Sequence, residues 1–159
     1  MGAAIGAIAI ASTATPAQAQ KRTTQTMPVV LTVEQACRLV TQPLDFGIPD
    51  PKAKAATSTT TITLTCTPGT VYSIGIDNGL YWDGSTRRMY GGSANGQVWY
   101  ADYQLYHDAL HLLPWGMGAT AAAGVLGLPG KTYTVYGVTQ IKNLRPAPYR
   151  DTVIVQLDF

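Results

Sequence analysis

Charge is missing from the start of this chain: none of the first twenty residues is Lys, Arg, Asp or Glu. An apolar run extends from Ala3 to Ile10, and the small residues Ala17 and Ala19 flank Gln18. This pattern predicts a secretory signal peptide over residues 1–19, cut after Ala19, with an Ala-rich disordered tail as the alternative. The run is far shorter than the ~20 residues that cross a bilayer, so we expect no membrane span.

Cysteine and histidine are scarce, with two residues of each. In an exported chain, Cys37 and Cys66 indicate a disulfide rather than half of a metal site. Closing a loop of about thirty residues stabilises a fold by roughly 3 to 4 kcal/mol in the chain-entropy account. His107 and His111 have the spacing of two ligands on a helix, but no third ligand accompanies them. We therefore predict neither a metal nor another cofactor.

Signatures of catalysis are also missing, since the sequence has no nucleophile elbow, phosphate-binding loop or dinucleotide fingerprint. Paired carboxylates for glycoside hydrolysis could come from four aspartates, but nothing selects a pair among them: Asp77, Asp83, Asp102 and Asp108. Eleven basic and nine acidic residues are scattered singly, which does not suggest a nucleic-acid partner. We expect a protein that is not an enzyme.

No long segment has the 3.6-residue apolar period of a helix, whereas Thr, Val and Tyr are abundant and Gly and Pro recur along the chain. The composition predicts one all-β domain, a sandwich or barrel of about seven strands. Alternation marks strands in residues 27–33, 57–66, 71–76, 98–106, 133–141 and 152–159. Residues 80–96 and 115–130 are predicted to be loops.

The strand at the end of the chain, Asp151 to Phe159, has an apolar face made by alternate residues: Val153, Val155, Leu157 and Phe159. A strand in this position can leave one side unpaired, and natural proteins protect such edges by charge, bulges or cover. The residues alone leave two interpretations open: a free edge, or a central strand paired on both sides.

Three surface features remain. The loop containing Val125 and Leu126 either packs on the core or presents an apolar patch that serves as an adhesive loop. Trp82, Trp99 and Trp115 suit a sandwich core or a carbohydrate platform equally well. The Arg87-Arg88 pair favours a solvated loop or a cation–π contact with a nearby Tyr over a phosphate site.

Several short motifs follow one another in a specific order. They are Val33 with Cys37, Leu44-Asp45-Phe46-Gly47, Ile62 to Thr67, Arg88-Met89, Tyr103 to Tyr106 with Asp108, Trp115-Gly116, Tyr136-Gly137 and Tyr149 to Val153. In this arrangement the sequence resembles the spore coat protein U domain family, which supplies subunits of archaic chaperone–usher pili. The resemblance covers nearly the whole chain after the predicted signal peptide.

The resemblance implies an immunoglobulin-like β-sandwich that lacks its last strand and is completed by a donated one. Residues 20–36 would be the donor-strand segment and residues 37–159 the pilin domain. The donor's plug residues would be Met27, Val29, Leu31 and Val33, and the acceptor groove would include Val153, Val155, Leu157 and Phe159. Pro28 lacks an N–H and would cost the donor one ladder bond. The competing interpretation makes Met27 to Val33 a strand of its own domain.

The implied partners are a periplasmic pilus chaperone, an outer-membrane usher and other copies of the chain or related subunits in a filament. The implied location is a pilus at the cell surface, where the fibre would support adhesion and biofilm formation. The alternatives are a self-complete secreted coat or surface domain, and a tip adhesin or sugar-binding module.

Overall fold

The chain divides into two units, Met1–Thr32 and Val33–Phe159. A computed structural model describes residues 21–50, 52–127 and 130–159. In the first unit, the described residues 21–32 form neither a helix nor a strand and are exposed. The signal peptide predicted over residues 1–19 lies outside the described residues.

The second unit is all-β, as the composition predicts, with eight described strands rather than about seven. The strands are β1 (Cys37–Thr41), β2 (Ala55–Cys66), β3 (Val71–Ile76), β4 (Arg87–Ala94), β5 (Gln97–Tyr106), β6 (Ala122–Val125), β7 (Lys131–Gln140) and β8 (Val155–Asp158). A 3₁₀ turn, Gly118–Thr120, precedes β6.

The described strands form two antiparallel sheets. The larger has the order β1-β2-β7-β5-β4, and the smaller has the order β6-β3-β8. In the described part of the chain, β1 and β4 are therefore the edges of the large sheet, and β6 and β8 are the edges of the small one. The edge of β4 is partly closed by Arg150, whose backbone exchanges two hydrogen bonds with Tyr90.

Alternation along the strands decides which side chains enter the core. On β2, Ile62, Leu64 and Cys66 are buried, while the threonines between them face outward. Because side chains alternate across a strand with a period of two, one face of β2 covers the core and the other meets solvent. The resulting core lies between the two sheets and is centred on Ile74, Ile76, Leu105, Val135 and Trp115.

Three strands were not predicted from the sequence. Residues 37–41 begin at the disulfide cysteine Cys37 and have no strong alternation, and the predicted loops 80–96 and 115–130 contain β4 and β6. In β4, Gly91 lies where an added Cβ would meet the rings of Tyr149 and Trp99. The glycines that suggested a loop are thus places where aromatic rings approach the strand backbone closely. Conversely, residues 27–33 have strand-like alternation but no strand in this structure.

Candidate functional site

Strand β8 is paired on one side only in the described part of the chain. It pairs antiparallel with β3, with Leu157 opposite Ile74 and Val155 opposite Ile76. Val153, Val155 and Leu157 pack against the core, as their shared face predicts, yet each remains only half-buried. Phe159 is 57% exposed. Apolar side chains that face inward are therefore left incompletely covered along this edge.

Strand β1 and the segment after it show the same incomplete burial on the other sheet. Leu39, Leu44 and Phe46 pack against the core cluster but are only partly buried. By contrast, the core side chains contributed by β2 and β3 include Ile62, Leu64 and Ile74, which are 2% exposed or less. The core is thus well covered along its central strands and poorly covered along β1 and β8.

These two edges border the same region of the core. Leu39 of β1 and Leu157 of β8 each pack against both of the buried clusters, one centred on Trp115 and the other on Leu64 and Tyr72. Both edges carry backbone N–H and C=O groups without a strand partner in the described residues. An extended segment with an apolar face could supply both missing elements, the ladder hydrogen bonds and the cover for the core.

The start of the terminal strand is fixed by two aspartates. Asp77 accepts hydrogen bonds from the backbone N–H groups of Gly79 and Ile154. Asp151 accepts one from the Leu80 N–H and a 2.6 Å bond from the Tyr103 hydroxyl. Burial, followed by the contact with Asp151, raises the pKa of Tyr103. The turn after β3 and the segment before β8 are therefore tied together by side chains.

A buried arginine completes this polar network. Arg87 is 3% exposed, and its guanidinium donates to the carbonyls of Ile76, Asp77 and Trp115 and to the side chain of Gln104. Burial lowers the pKa of Arg87, but arginine stays protonated in proteins. The four acceptors satisfy a charge that would otherwise be costly to bury. Arg87 thus connects the end of β3, strand β5 and the loop that contains Trp115 through its hydrogen bonds.

Sequence reasoning missed Arg87, because a charged residue next to Arg88 gives no signal of burial. Arg88 does what the sequence favours: its guanidinium lies 4.4 Å from the centroid of the Tyr100 ring. It also approaches Asp83 at 3.8 Å. The N–H groups of Thr86 and Ser85, followed by the Ser85 hydroxyl, lower the pKa of Asp83 to about 2.

The proposed plug residues lie in an exposed stretch. Met27, Val29 and Leu31 belong to the first unit and Val33 to the second, and all four are largely exposed. The second unit holds the chain just after Val33: the Thr67 hydroxyl donates to the Glu34 carbonyl and accepts from the Ala36 N–H. The role of these residues as a donor strand stays a prediction.

Cys37 and Cys66 form the predicted disulfide. They are opposite each other in the ladder between β1 and β2. The bond therefore fixes the first residue of β1 to the last residue of β2, at the edge where the core is incompletely covered.

The two histidines are used in packing. The His107 ring stacks on Trp115 with the centroids 4.1 Å apart, and its Nε2 lies 2.9 Å from the Thr120 carbonyl oxygen. The His111 ring packs edge-on against Tyr106. Across the described ranges, no three His, Cys, Asp or Glu side chains are grouped as a metal site requires. Those ranges also contain no helix that is long and apolar enough to cross a membrane.

The two residues of the predicted adhesive loop differ in exposure. Val125 is exposed on β6, whereas Leu126 is 3% exposed and belongs to the core cluster around Leu64. Only Val125 of this pair can therefore reach a partner. Among the tryptophans, Trp115 is fully buried, Trp99 is half-buried and Trp82 is 36% exposed.

Comparison with known families decides the identity. The profile of the Spore Coat Protein U domain matches residues 23–156, which is most of the chain. This chain belongs to the Spore Coat Protein U domain family. It is a family of structural, non-enzymatic domains, in agreement with the expectation from the sequence. None of the curated proteins compared with the chain matches it.

A solved structure has a similar fold. It is the crystal structure of the CsuC-CsuE chaperone-tip adhesion subunit pre-assembly complex from archaic chaperone-usher Csu pili of Acinetobacter baumannii. One chain of that complex aligns with a TM-score of 0.58 and 24% sequence identity. The alignment covers 80% of this chain and 41% of that chain, so this chain spans less than half the length of the matched one. The likeness supports the immunoglobulin-like fold.

The structure explains several motifs of this Spore Coat Protein U domain. An added Cβ on Gly137 would come within 2.5 Å of Leu44 and 3.1 Å of Phe46, so the Tyr136-Gly137 and Leu44 to Gly47 motifs fit against each other. Asp108 accepts backbone hydrogen bonds from Leu110, Leu112 and Leu113 and shapes the loop after β5. These motif residues organise the fold rather than forming a reactive centre.

Proposed function

We propose that this chain is a structural subunit of a chaperone–usher pilus and that it assembles by donor-strand exchange. The observation that carries the proposal is the incomplete core along β1 and β8, where Leu39 and Leu157 are half-buried beside unpaired strand edges. A donated strand placed there would cover the core and satisfy the edge. Residues 37–159 then act as the pilin domain and residues 20–36 as the donor-strand segment.

The donor face consists of Met27, Val29, Leu31 and Val33, and the acceptor face of Val153, Val155, Leu157 and Phe159. Alternate residues of an extended strand point the same way, so all four donor side chains would enter one groove. Support comes from their exposure and from the attachment of Glu34 and Ala36 to Thr67, which fixes where the segment leaves the domain. Pro28 has no N–H and would cost the donor strand one ladder hydrogen bond.

The partners follow from the same site. A subunit with an open groove exposes apolar side chains and backbone groups, so a periplasmic chaperone would fill the groove before assembly. The similar structure is itself named as a complex of a chaperone and a pilus subunit. An outer-membrane usher and further copies would then complete the route to the cell surface. Because donor and acceptor are different surfaces, the contact is heterologous and builds an open filament.

Adhesion and biofilm formation are proposed as consequences of the fibre. A tip adhesin or sugar-binding module has less support, since Leu126 is buried and only Val125 and Trp82 offer exposed apolar or aromatic surface in the places suggested by the sequence. A self-complete coat or surface domain remains the main competitor, and it predicts a stable monomer that needs no added strand.

The test is strand addition in trans. A chain starting at Gln35 is refolded with and without a peptide of residues 20–34, and its melting temperature is measured. A peptide at 100 times its Kd adds about 2.7 kcal/mol of stability, which raises the melting temperature of a domain of this size by roughly 8 °C or more. A control peptide with Val29 and Leu31 replaced by Asp is expected to have no effect.

A second version places residues 20–34 after Phe159 through a glycine–serine linker, in a chain that lacks the N-terminal copy. This chain is expected to be a stable monomer that no longer polymerises. Equal melting temperatures with either peptide, together with no gain from the appended segment, would contradict donor-strand exchange and favour the self-complete domain.

A further inference from the structure

Asparagine is scarce in this chain, and two of its three copies are followed by glycine. Asn78 and Gly79 lie in the turn after β3, whereas Asn95 and Gly96 form the two-residue loop between β4 and β5. The side-chain carbonyl of an asparagine can be attacked by the backbone nitrogen of the next residue. Glycine hinders this attack least, because it has no Cβ and adopts the widest range of backbone angles. The same pair of reactive groups is therefore present in two different surroundings.

The loop between β4 and β5 leaves its reactive groups uncovered. Residues 93–98 are all exposed, and φ is 52° at Asn95 and 75° at Gly96, positive at both positions as a type I′ turn requires. Within the described residues, the Gly96 N–H has no backbone acceptor. A Cβ added to Gly96 would meet nothing within 4 Å, so the space beside its nitrogen is open. The nitrogen that would attack Asn95 is therefore unengaged.

The same loop lies at the end of a two-stranded ribbon. Strand β5 pairs with β7 only from Tyr103 onward, so residues 97–102 are held in the sheet ladder by β4 alone. A ribbon of two strands is only marginally stable in water. Segments with few covering contacts open locally at a low cost in free energy. Opening of this tip gives Asn95 access to backbone conformations in which the Gly96 nitrogen reaches its side chain.

The turn after β3 holds the other asparagine–glycine pair in place. The Gly79 N–H donates to the Asp77 carboxylate at 3.0 Å, so the nitrogen that would attack Asn78 is already engaged. The next N–H, that of Leu80, donates to the Asp151 carboxylate at 3.0 Å. A Cβ added to Gly79 would collide with that carboxylate, which shows how closely the turn is packed. Attack at Asn78 first requires charge-assisted hydrogen bonds to break.

We propose that Asn95 is a site of spontaneous deamidation, whereas the fold protects Asn78 from the same reaction. The Gly96 nitrogen forms a bond to Cγ of Asn95 and closes a succinimide ring. The Cγ–Nδ2 bond breaks, and ammonia leaves with the proton that the Gly96 nitrogen gives up. Water then opens the ring at either carbonyl, which leaves an aspartyl or an isoaspartyl residue at position 95. The exposed tip gains a negative charge, and the isoaspartyl product lengthens the backbone of the turn. The reaction requires only the folded domain and is independent of the proposed function.

The test compares the three asparagines within one protein. The full chain is incubated in mildly alkaline buffer, either folded or unfolded in urea, and peptide mapping by mass spectrometry follows deamidation at each site. In the folded chain, Asn95 is expected to react at least about tenfold faster than Asn78, because hydrogen bonds to charged acceptors hold the turn after β3. In urea the two sites are expected to react at similar rates. Asn143 is the matched control: it is exposed and has a φ of 61°, but Leu144 follows it, so it is expected to react slowly in both states.

Two variants test the roles of the individual groups. Asn95→Gln is expected to remove the acidic species that isoelectric focusing detects, because attack on glutamine requires a larger ring. Asp77→Ala frees the Gly79 N–H and is expected to speed deamidation at Asn78 by at least about tenfold, with near-UV circular dichroism reporting whether the variant is folded. If that variant does not fold, the wild-type comparison decides alone.

The proposal is overturned if Asn78 reacts as fast as Asn95 in the folded wild type. It is also overturned if Asn95 stays intact over a period in which the chain in urea is deamidated. An unchanged rate at Asn78 in a folded Asp77→Ala variant overturns the protection assigned to the Gly79 hydrogen bond.

Discussion

The Tyr103 hydroxyl donates a 2.6 Å hydrogen bond to the Asp151 carboxylate, and this bond joins the middle of β5 to the segment that leads into β8. The same carboxylate holds the Leu80 N–H at 3.0 Å. One side chain thus connects the large sheet, the turn after β3 and the strand that borders the incompletely covered core.

Asp151→Ala is expected to lower the free energy of unfolding by about 2 to 3 kcal/mol, because two hydrogen bonds to a charged acceptor are lost. Urea unfolding followed by Trp fluorescence measures the change. Asp158→Ala is the control, since the Asp158 side chain accepts only from Gln156 among the described residues, and its effect should stay within about 0.5 kcal/mol. Equal losses in both variants would show that Asp151 has no special role.

Alkaline pH provides an independent probe of Tyr103. Burial and the bond to Asp151 raise its pKa above the ordinary value of 10.0. This contribution to stability is fully present below pH about 10 and is lost above it, because the unfolded tyrosine ionises while the folded one keeps its proton. The loss approaches about 1.4 kcal/mol for each pH unit. Tyr103→Phe should be less stable at neutral pH and show a shallower decline between pH 9.5 and 11. Parallel declines in the two proteins would refute the shift.

The disulfide is expected to stabilise the domain by roughly 3 to 4 kcal/mol, since its sequence separation is 29. Replacing Cys37 and Cys66 together by Ala should lower the melting temperature in non-reducing buffer. Dithiothreitol should lower the melting temperature of the wild type and leave the double variant unchanged. A wild type that is insensitive to dithiothreitol while its thiols become reactive would argue against this contribution.

Gly137→Ala places a methyl group against Leu44 and Phe46, at distances of 2.5 and 3.1 Å from the ideal Cβ position. Overpacking of this kind costs about 1 to 3 kcal/mol. Gly127→Ala is the matched control, because an added Cβ there has nothing within 4 Å. Thermal unfolding of both variants measures the difference. If Gly137→Ala were as stable as Gly127→Ala, the segment with Leu44 and Phe46 would not be packed on β7 as described.

The sequence predicted the elements that are encoded by local alternation. On β2 and β3, the buried residues Ile62, Leu64, Ile74 and Ile76 fall where the two-residue period places them. The disulfide was also predictable, because an exported chain with two cysteines can form only one intramolecular disulfide. The all-β class followed from the same strands and from the absence of helical periodicity.

The parts that escaped prediction depend on contacts between distant residues. The glycines of β4 suggested a loop from the sequence. Gly91 leaves room for the rings of Trp99 and Tyr149, and this close approach depends on tertiary packing. Arg87 gave no sign of burial because its acceptors come from three separate segments: the Ile76 and Asp77 carbonyls, the Trp115 carbonyl and the Gln104 side chain. The incomplete core became visible only once β1 and β8 were seen to share the same buried clusters.

The position of the disulfide has a mechanical consequence. In a fibre assembled as proposed, tension would enter each copy through the segment that ends at Ala36, one residue before Cys37. Without the disulfide, this tension would break the hydrogen bonds between β1 and β2 one after another, because each bond is individually weak. The covalent bond from Cys37 to Cys66 would instead transmit the force directly to the last residue of β2, a strand whose Ile62 and Leu64 are buried in the core. Peeling of β1 is thereby blocked at its first residue, and the force is shared by the whole sheet.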